Sequence, residues 1–180
     1  MNFVQPIRDM EKVEAIKAHF QSQSSRNYML FLMGINTGLR ISDILKLRVR
    51  DVKDQHIIIR EQKTKKQKWI RITPSLKREI KLYIEGKEDH EFIFKSREGI
   101  NKPIGRSMAY KILQEAAVKF KLRDIGTHTM RKTFGYHFYQ QTKDVAMLQE
   151  IFNHSSPDIT LRYIGVNQDS MDKAMASFKI

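Results

Sequence analysis

The sequence predicts a mainly α-helical fold with one small antiparallel β-sheet, an α+β domain. Apolar residues recur at helical spacing along most of the chain, whereas two neighbouring runs, HIIIR and KWIRIT, are rich in β-branched and aromatic residues. No repeat or Pro/Gly/Ser-rich linker divides the 180 residues. A single domain spanning residues 1–180 is therefore the simplest organisation, and this length can bury a core without metal or disulfide support.

The first half of the chain predicts three helices followed by a hairpin. Asp9 can cap a helix through MEKVEAIKAHF. RNYMLFLMGINTG is an apolar helix that closes near Gly38, and RISDILKL follows as a short helix. The pattern then changes to that of two strands, which predicts a hairpin.

Helix signals recur after the hairpin. Pro74 and Ser75 open a helix through LKREIKLYIEG, for which Gly86 is the expected C-cap. EFIF is expected to form a short third strand, and SMAYKILQEAAVKF is an amphipathic helix.

The C-terminal part of the chain predicts four helices. Thr127 can cap the helix HTMRKTFGYHFYQQ, and Asp144 can cap the next one. Ser156 and Pro157 start the helix that carries Tyr163, and SMDKAMASF forms the last helix. Most polar residues of interest lie on these helices.

Positive charge is the most informative bulk property. Lys and Arg number 33 against 20 Asp and Glu, a formal net charge of +13. An excess of this size favours a polyanionic partner, most often nucleic acid. The chain has no cysteine, which excludes disulfides and thiolate zinc sites. It has neither a run of roughly 18 apolar residues nor an apolar signal segment, so a cytoplasmic protein is expected.

Two short stretches place arginine where an anion can bind. His128 and Arg131 stand three residues apart in HTMRKTF, so they share a face near the positive end of a helix. Arg40 follows a turn in NTGLRISDIL, and Asp43 is spaced to hold its guanidinium. Taken singly, the first stretch is better explained as two surface polar residues and the second as a salt bridge.

The linker between the strands is strongly basic. REQKTKKQKWIR holds six basic residues in twelve, and Glu61 is its only acid. Such a hairpin tip can contact phosphates, although most of its lysines are also explained as a solvated turn. No histidine cluster or glycine-rich phosphate loop is present, so neither a metal nor a nucleotide cofactor is expected.

Taken in chain order, these stretches resemble the catalytic domain of tyrosine recombinases, the phage-integrase and Xer-type family. TGLRISDILKL is similar to the first arginine box, HTMRKTF to the His-x-x-Arg box, and NHSSPDITLRYIG to the terminal box, whose histidine and tyrosine also stand nine residues apart. The resemblance covers roughly residues 9–165. Two departures are Phe152-Asn153, where Leu-Gly is usual, and Lys132, where many relatives carry His.

The resemblance implies a role for each matching residue. Tyr163 is the expected nucleophile. Lys63 is the expected general acid on the leaving 5′ oxygen. Lys65 or Lys66 would take that role if the alignment of the hairpin were shifted. The expected contacts of the scissile phosphate are Arg40, Arg131, His128 and His154, of which His128 also fits the base. The expected DNA-binding residues are Lys65, Lys66, Lys68, Arg71 and Lys132.

The resemblance also implies partners. Double-stranded DNA with specific recombination sites is the expected substrate, in a protein of bacterial, phage or mobile-element type. A homotetramer on DNA is expected to form through the last helix, whose apolar stripe comprises Met171, Ala174, Met175 and Phe178.

Most relatives carry a further N-terminal core-binding domain that this sequence lacks. The chain is therefore either a fragment or a catalytic-domain-only recombinase similar to the short fimbrial DNA invertases. The alternatives are a type IB topoisomerase, a non-catalytic DNA-binding relative and a structural protein with a basic surface.

Overall fold

The structure is a computed structural model that describes residues 4–61, 63 and 65–179. It confirms the predicted combination of helices with one small sheet. A 3₁₀ helix covers Val49–Val52. The strands are β1 (His56–Arg60) and β2 (Gln67–Arg71). The helices are α1 (Met10–Gln23), α2 (Ser25–Thr37), α3 (Ile41–Ile44), α4 (Pro74–Ile84), α5 (Arg106–Lys119), α6 (Thr129–Thr142), α7 (Val145–Phe152), α8 (Pro157–Ile164) and α9 (Val166–Ser177).

Most predicted helix boundaries are confirmed by their caps. The side chains of Asp9, Asp144 and Ser156 each accept a hydrogen bond from a backbone N–H in the first turn that follows. Gly38 ends α2 and Asn153 ends α7, both in the left-handed conformation. These local signals work because each side chain satisfies a backbone group that the helix leaves unpaired.

Three local predictions are wrong. EFIF does not form a strand, because the chain turns within it and pairs only through isolated bridges, such as Arg48 with Phe92. Thr127 does not cap α6, since His128 occupies the N-cap position and the Thr129 hydroxyl accepts from the Gly126 N–H instead. The C-cap of α4 is Glu85 rather than the glycine that follows it.

The hairpin has an inner and an outer face. β1 and β2 pair antiparallel, with Ile58 opposite Trp69 and Ile59 opposite Lys68. Ile58 and Trp69 are exposed, 44% and 64%, whereas Ile57 is fully buried. Because strand side chains alternate between faces, Lys68 points the same way as the buried core and Arg71 points to solvent.

Two apolar clusters hold the helices together. The larger one joins α1, α2, α4, α5 and the inner face of β1. A smaller cluster of Leu148, Phe152 and Ile164 joins α6, α7 and α8, with Tyr163 at its edge. The site described next lies between these clusters. No helix in the described part of the chain has the length and hydropathy that crossing a bilayer requires.

Candidate active site

Arg40 lies where a tight turn meets α3. Gly38 has φ 64°, and a Cβ there would lie 2.7 Å from the Phe134 ring, so both the backbone and the space require glycine. Arg40 follows as the N-cap of α3. Its Nη1 lies 2.9 Å from the Glu61 carboxylate, a partner that the spacing in the sequence did not suggest. Asp43, the expected partner, is itself buried at 5% exposure.

Arg131 is buried at 3% exposure and cross-links two segments of the chain. Its guanidinium donates to the Gly38 carbonyl and, at 2.9 Å, to the Phe152 carbonyl. It also lies over the Phe152 ring, 4.2 Å from the centroid. Burial lowers the pKa of Arg131, but a guanidinium stays protonated at neutral pH. A permanent cation is thus fixed between the turn before Arg40 and the end of α7.

Tyr163 and His128 meet in the same cleft. The Tyr163 Oη lies 3.4 Å from His128 Nδ1, and the two rings are arranged edge to face. Gly135 lets α8 approach α6 this closely, because a Cβ there would come within 2.7 Å of Ile164. Burial raises the pKa of Tyr163, although the two site arginines oppose the rise. The tyrosine is therefore a neutral phenol that needs a base before it can attack.

His128 has the properties of that base. The residue is exposed overall, yet surrounding protein atoms partly desolvate its imidazole. This desolvation lowers the pKa of His128, and nearby cations, led by Arg131, lower it further. At neutral pH the imidazole is neutral and has a ring nitrogen that can accept a proton.

His154 completes the cleft beside the tyrosine. Its ring centroid lies 5.1 Å from that of Tyr163 and 5.3 Å from that of Phe152. Its Nδ1 lies 3.0 Å from the hydroxyl of Thr160, a fully buried residue. Desolvation lowers the pKa of His154 to about 4, with further lowering by surrounding cations that include Arg131. A neutral His154 whose Nδ1 is engaged has Nε2 as its remaining polar atom.

Lys63 lies on the exposed tip of the hairpin and lines a cleft of about 430 Å³. Arg40 and His128 line the same cleft. Arg106, at the start of α5, contributes a further cation. The cleft therefore brings together residues from four separate segments of the chain.

The residues expected to bind DNA fall into two groups. Lys65, Lys66 and Arg71 are exposed on the hairpin. Lys132 is engaged inside the protein, where its Nζ donates to the Val4 carbonyl at 2.8 Å and lies 4.9 Å from the centroid of the Tyr163 ring. Burial lowers the pKa of Lys132.

Lys68 also differs from the exposed hairpin lysine that the sequence suggested. Its side chain is only 16% exposed, its Nζ lies 2.9 Å from Glu61 Oε1, and it donates to the Ile151 carbonyl. Burial lowers the pKa of Lys68, which the Glu61 carboxylate opposes. The ammonium faces the interior, and a DNA contact of Lys68 stays a prediction.

Sequence reasoning missed three residues at the site. Glu61 was noted only as the one acid of a basic stretch, although its place two residues after Ile59 on β1 puts it on the inner face. Thr160 gave no signal, because its contact with His154 depends on the turn between them. Arg106 was one basic residue among many. Among the described residues, no group of three or more His, Asp or Glu side chains is arranged to hold a metal ion.

Known proteins resemble this chain over most of its length. Residues 8–170 match the Phage integrase family. The chain belongs to the phage integrase family. A similar relative is the probable integrase/recombinase YoeC of Bacillus subtilis (strain 168), 52% identical over 179 residues, which cover 99% of this chain and 98% of that protein. Another, tyrosine recombinase XerA of Pyrococcus furiosus, is 25% identical over 92% of this chain and 59% of its own length.

Solved structures of family members share the fold. The crystal structure of XerA recombinase superposes with a TM-score of 0.77 at 16% identity, over 98% of this chain and 66% of that one. A lambda integrase dimer bound to a COC′ core site gives 0.70 at 16% identity, over 90% and 60%. The chain thus spans about 60% of the XerA sequence and nearly all of YoeC. The predicted family and function class, a tyrosine-type site-specific DNA recombinase, are confirmed, and a type IB topoisomerase is not favoured.

Proposed function

We propose that this chain cleaves and rejoins double-stranded DNA at specific recombination sites through a covalent 3′-phosphotyrosine on Tyr163. The observation that carries the proposal is the convergence of Tyr163, His128 and two arginines from distant parts of the sequence in one cleft. A tyrosine that serves only packing does not require two arginines and a histidine near its side chain. Covalent catalysis by tyrosine stores the energy of the phosphodiester bond, so rejoining needs no nucleotide.

The arginines are suited to a phosphate in its transition state. Among the described residues, the buried Nη1 of Arg40 forms no aligned hydrogen bond although it lies near Glu61. With Nη1 held against the Glu61 carboxylate, the other N–H groups of this guanidinium would bind the non-bridging phosphate oxygens. Arg131 supplies further donors from the other side of the cleft, and His154 supplies one in the tautomer that carries its proton on Nε2. Fixed donors at a developing charge stabilise the transition state without reorganisation.

The proton transfers follow from the environment of each group. The Tyr163 Oη forms a bond to the scissile phosphorus, and its proton goes to His128. The bond from phosphorus to the 5′ oxygen breaks, and that oxygen takes a proton from Lys63. Rejoining reverses these steps with the 5′ hydroxyl of another strand. Atoms and charges balance without an added co-reactant.

Duplex DNA fits the charge of the chain. The net charge is +13, and basic residues of the hairpin, among them Lys65 and Arg71, are exposed to solvent. XerH recombinase bound to difH substrate, a structural neighbour, superposes with a TM-score of 0.72 at 18% identity over 98% of this chain and 54% of that one. Lambda integrase, cited above, is also a DNA complex. These neighbours support duplex DNA as the partner of this chain.

The test is a nicked suicide substrate analysed on a denaturing gel. We expect the chain to form a protein–DNA adduct that protease removes, and Tyr163→Phe to abolish the adduct while DNA affinity stays nearly unchanged. Tyr139→Phe is the matched control, because Tyr139 also packs on the smaller apolar cluster. An adduct that persists in Tyr163→Phe would refute the proposal.

We further propose that α9 assembles the chain into a ring on DNA. No described residue of α9 is buried, and Met171, Met175 and Phe178 are 55%, 70% and 65% exposed. The apolar stripe of α9 therefore does not pack on the core of its own chain. A neighbouring copy of the chain would cover it. Deleting residues after Asn167 should spare cleavage at a single site but abolish strand exchange. Full recombination by the truncated chain would exclude this role.

A further inference from the structure

Glu61 is a buried carboxylate that the proposed chemistry does not use. It directly follows β1 and is only 1% exposed. A carboxylate removed from water needs compensating cations, since an isolated buried charge is strongly destabilising. Two cations lie against one oxygen of Glu61: Arg40 Nη1 and Lys68 Nζ, each at 2.9 Å. Glu61 thus links a residue of the phosphate cleft to a buried lysine.

Lys68 continues this link to the other side of the cleft. Besides Glu61, its Nζ contacts the carbonyl of Ile151, near the end of α7. Three residues later, the chain presents His154 to the cleft. The contacts run from Arg40 through Glu61 and Lys68 to the end of α7, and they join the hairpin to both walls of the site.

Arg131 provides a parallel connection between the same walls. It joins the Gly38 carbonyl, two residues before Arg40, to the Phe152 carbonyl, two residues before His154. The turn that carries Arg40 and the segment that carries His154 are therefore joined twice. Arg131 itself belongs to the phosphate site, whereas Glu61 and Lys68 lie beneath it.

We propose that Glu61 and Lys68 form a positioning pair that holds Arg40 and the His154 segment in register for the scissile phosphate. An arginine side chain loses considerable rotamer freedom when it is fixed, and the Glu61 carboxylate fixes it before DNA arrives. Within the pair, the Glu61 carboxylate lies beside Arg40 as well as Lys68, and its negative charge reduces the repulsion between these cations. Lys68 acts through Ile151 and Glu61 rather than by binding DNA. This inference rests on the proposed phosphate role of Arg40.

The experiment compares single-turnover cleavage of the nicked substrate with DNA affinity for Glu61→Gln, Arg40→Ala and the double variant. Glu61→Gln should slow cleavage on the order of 10- to 100-fold, because a misplacement of about 1 Å can cost about 10²-fold. Its DNA dissociation constant should stay within about twofold of the wild-type value. In the Arg40→Ala background, the same substitution should cost less than about twofold, since residues that act together are not additive.

Glu91 and Lys95 provide a matched control, because they form a carboxylate–ammonium pair that does not line the cleft. Glu91→Gln should leave cleavage unchanged. If Glu61→Gln does not fold, as thermal unfolding would reveal, Glu61→Asp keeps the charge and is tested in the same two backgrounds. It should show the same loss of additivity with Arg40→Ala.

Two results would overturn the inference. Equal losses from the Glu61 substitution in both backgrounds would mean that it does not act through Arg40. The second result is a Lys68→Met variant that cleaves normally but binds DNA more weakly. If the slope of its log binding constant against log salt concentration is also reduced by about 0.9, Lys68 is a phosphate contact. A wild-type chain without any Tyr163 adduct would instead refute the proposed function, so the two failures are distinguishable.

Discussion

The two sides of the cleft are built in different ways. Arg131 is almost fully buried and bonded to two backbone carbonyls, whereas Lys63 lies on an exposed hairpin tip. The arginine is therefore part of the fold as well as of the proposed chemistry. Among the described residues, no buried group is hydrogen-bonded or ion-paired to Lys63, so its removal should leave the buried contacts intact. Arg131, a proposed phosphate ligand, is therefore fixed by the fold before DNA arrives, while the proposed acid is carried by a separate element.

The largest effect that tests this difference is expected at Lys63. Lys63→Ala should slow cleavage by about 10²–10⁴, because the 5′ oxygen leaves poorly without a proton. Replacing that bridging oxygen with sulfur should remove most of the loss, since a thiolate leaves without protonation. Cleavage of both substrates by Lys63→Ala, Lys65→Ala and Lys66→Ala is the measurement. Rescue of Lys65→Ala or Lys66→Ala instead would move the acid to that residue.

Arg131→Ala should show the opposite combination of effects. Loss of a transition-state contact worth about 2.7–4 kcal/mol should slow cleavage, and the bridging-sulfur substrate should not restore it. The variant should also unfold at a lower temperature, because the Gly38 and Phe152 carbonyls lose a buried partner at about 1–3 kcal/mol each. Lys63→Ala should unfold like the wild type. Equal melting temperatures for wild type and Arg131→Ala would remove the distinction between the two regions.

A smaller effect concerns pH and His154. Its pKa is about 4 in the folded chain, against an ordinary value of about 6.5. Between these values the unfolded chain binds more protons, so His154 makes the folded state less stable as pH falls from about 6.5 towards 4. His154→Gln should therefore show a smaller drop in melting temperature between pH 7 and pH 5. His90→Gln, at an exposed histidine, is the control, and parallel curves for His154→Gln and wild type would contradict the prediction.

The smallest effects are expected at exposed hairpin cations. Lys65→Gln and Arg71→Gln should each weaken DNA binding and reduce its salt dependence by about 0.9 log units per log unit of salt. Cleavage of bound DNA should change little, because these residues are not among the proposed ligands of the scissile phosphate. Filter binding at several salt concentrations, combined with single-turnover rates, measures both quantities. A large loss of rate at saturating protein would place either residue in the catalytic group.

Several helix ends were predictable from the sequence because they depend on hydrogen bonds between neighbouring residues. Asp144 and Ser156 cap the helices that follow them, as their side chains and the adjoining Pro157 indicated. Asn153 ends α7 in the left-handed conformation, although glycine is the more usual residue at this position. The prediction of a third strand was wrong because a strand needs a neighbouring strand to pair with. The backbone of the EFIF segment pairs only through an isolated bridge.

By itself, the sequence determined the family and the class of reaction and predicted a set of site residues, since these are carried by short motifs with fixed spacing. Only the tertiary structure decided which cations face the cleft and which face the interior. Lys68 and Arg71 look equivalent in a basic stretch, yet strand alternation and the buried Glu61 turn one inward and leave the other in solvent. Burial and charge pairing depend on contacts between segments that are distant in the chain, and no local pattern of residues records them.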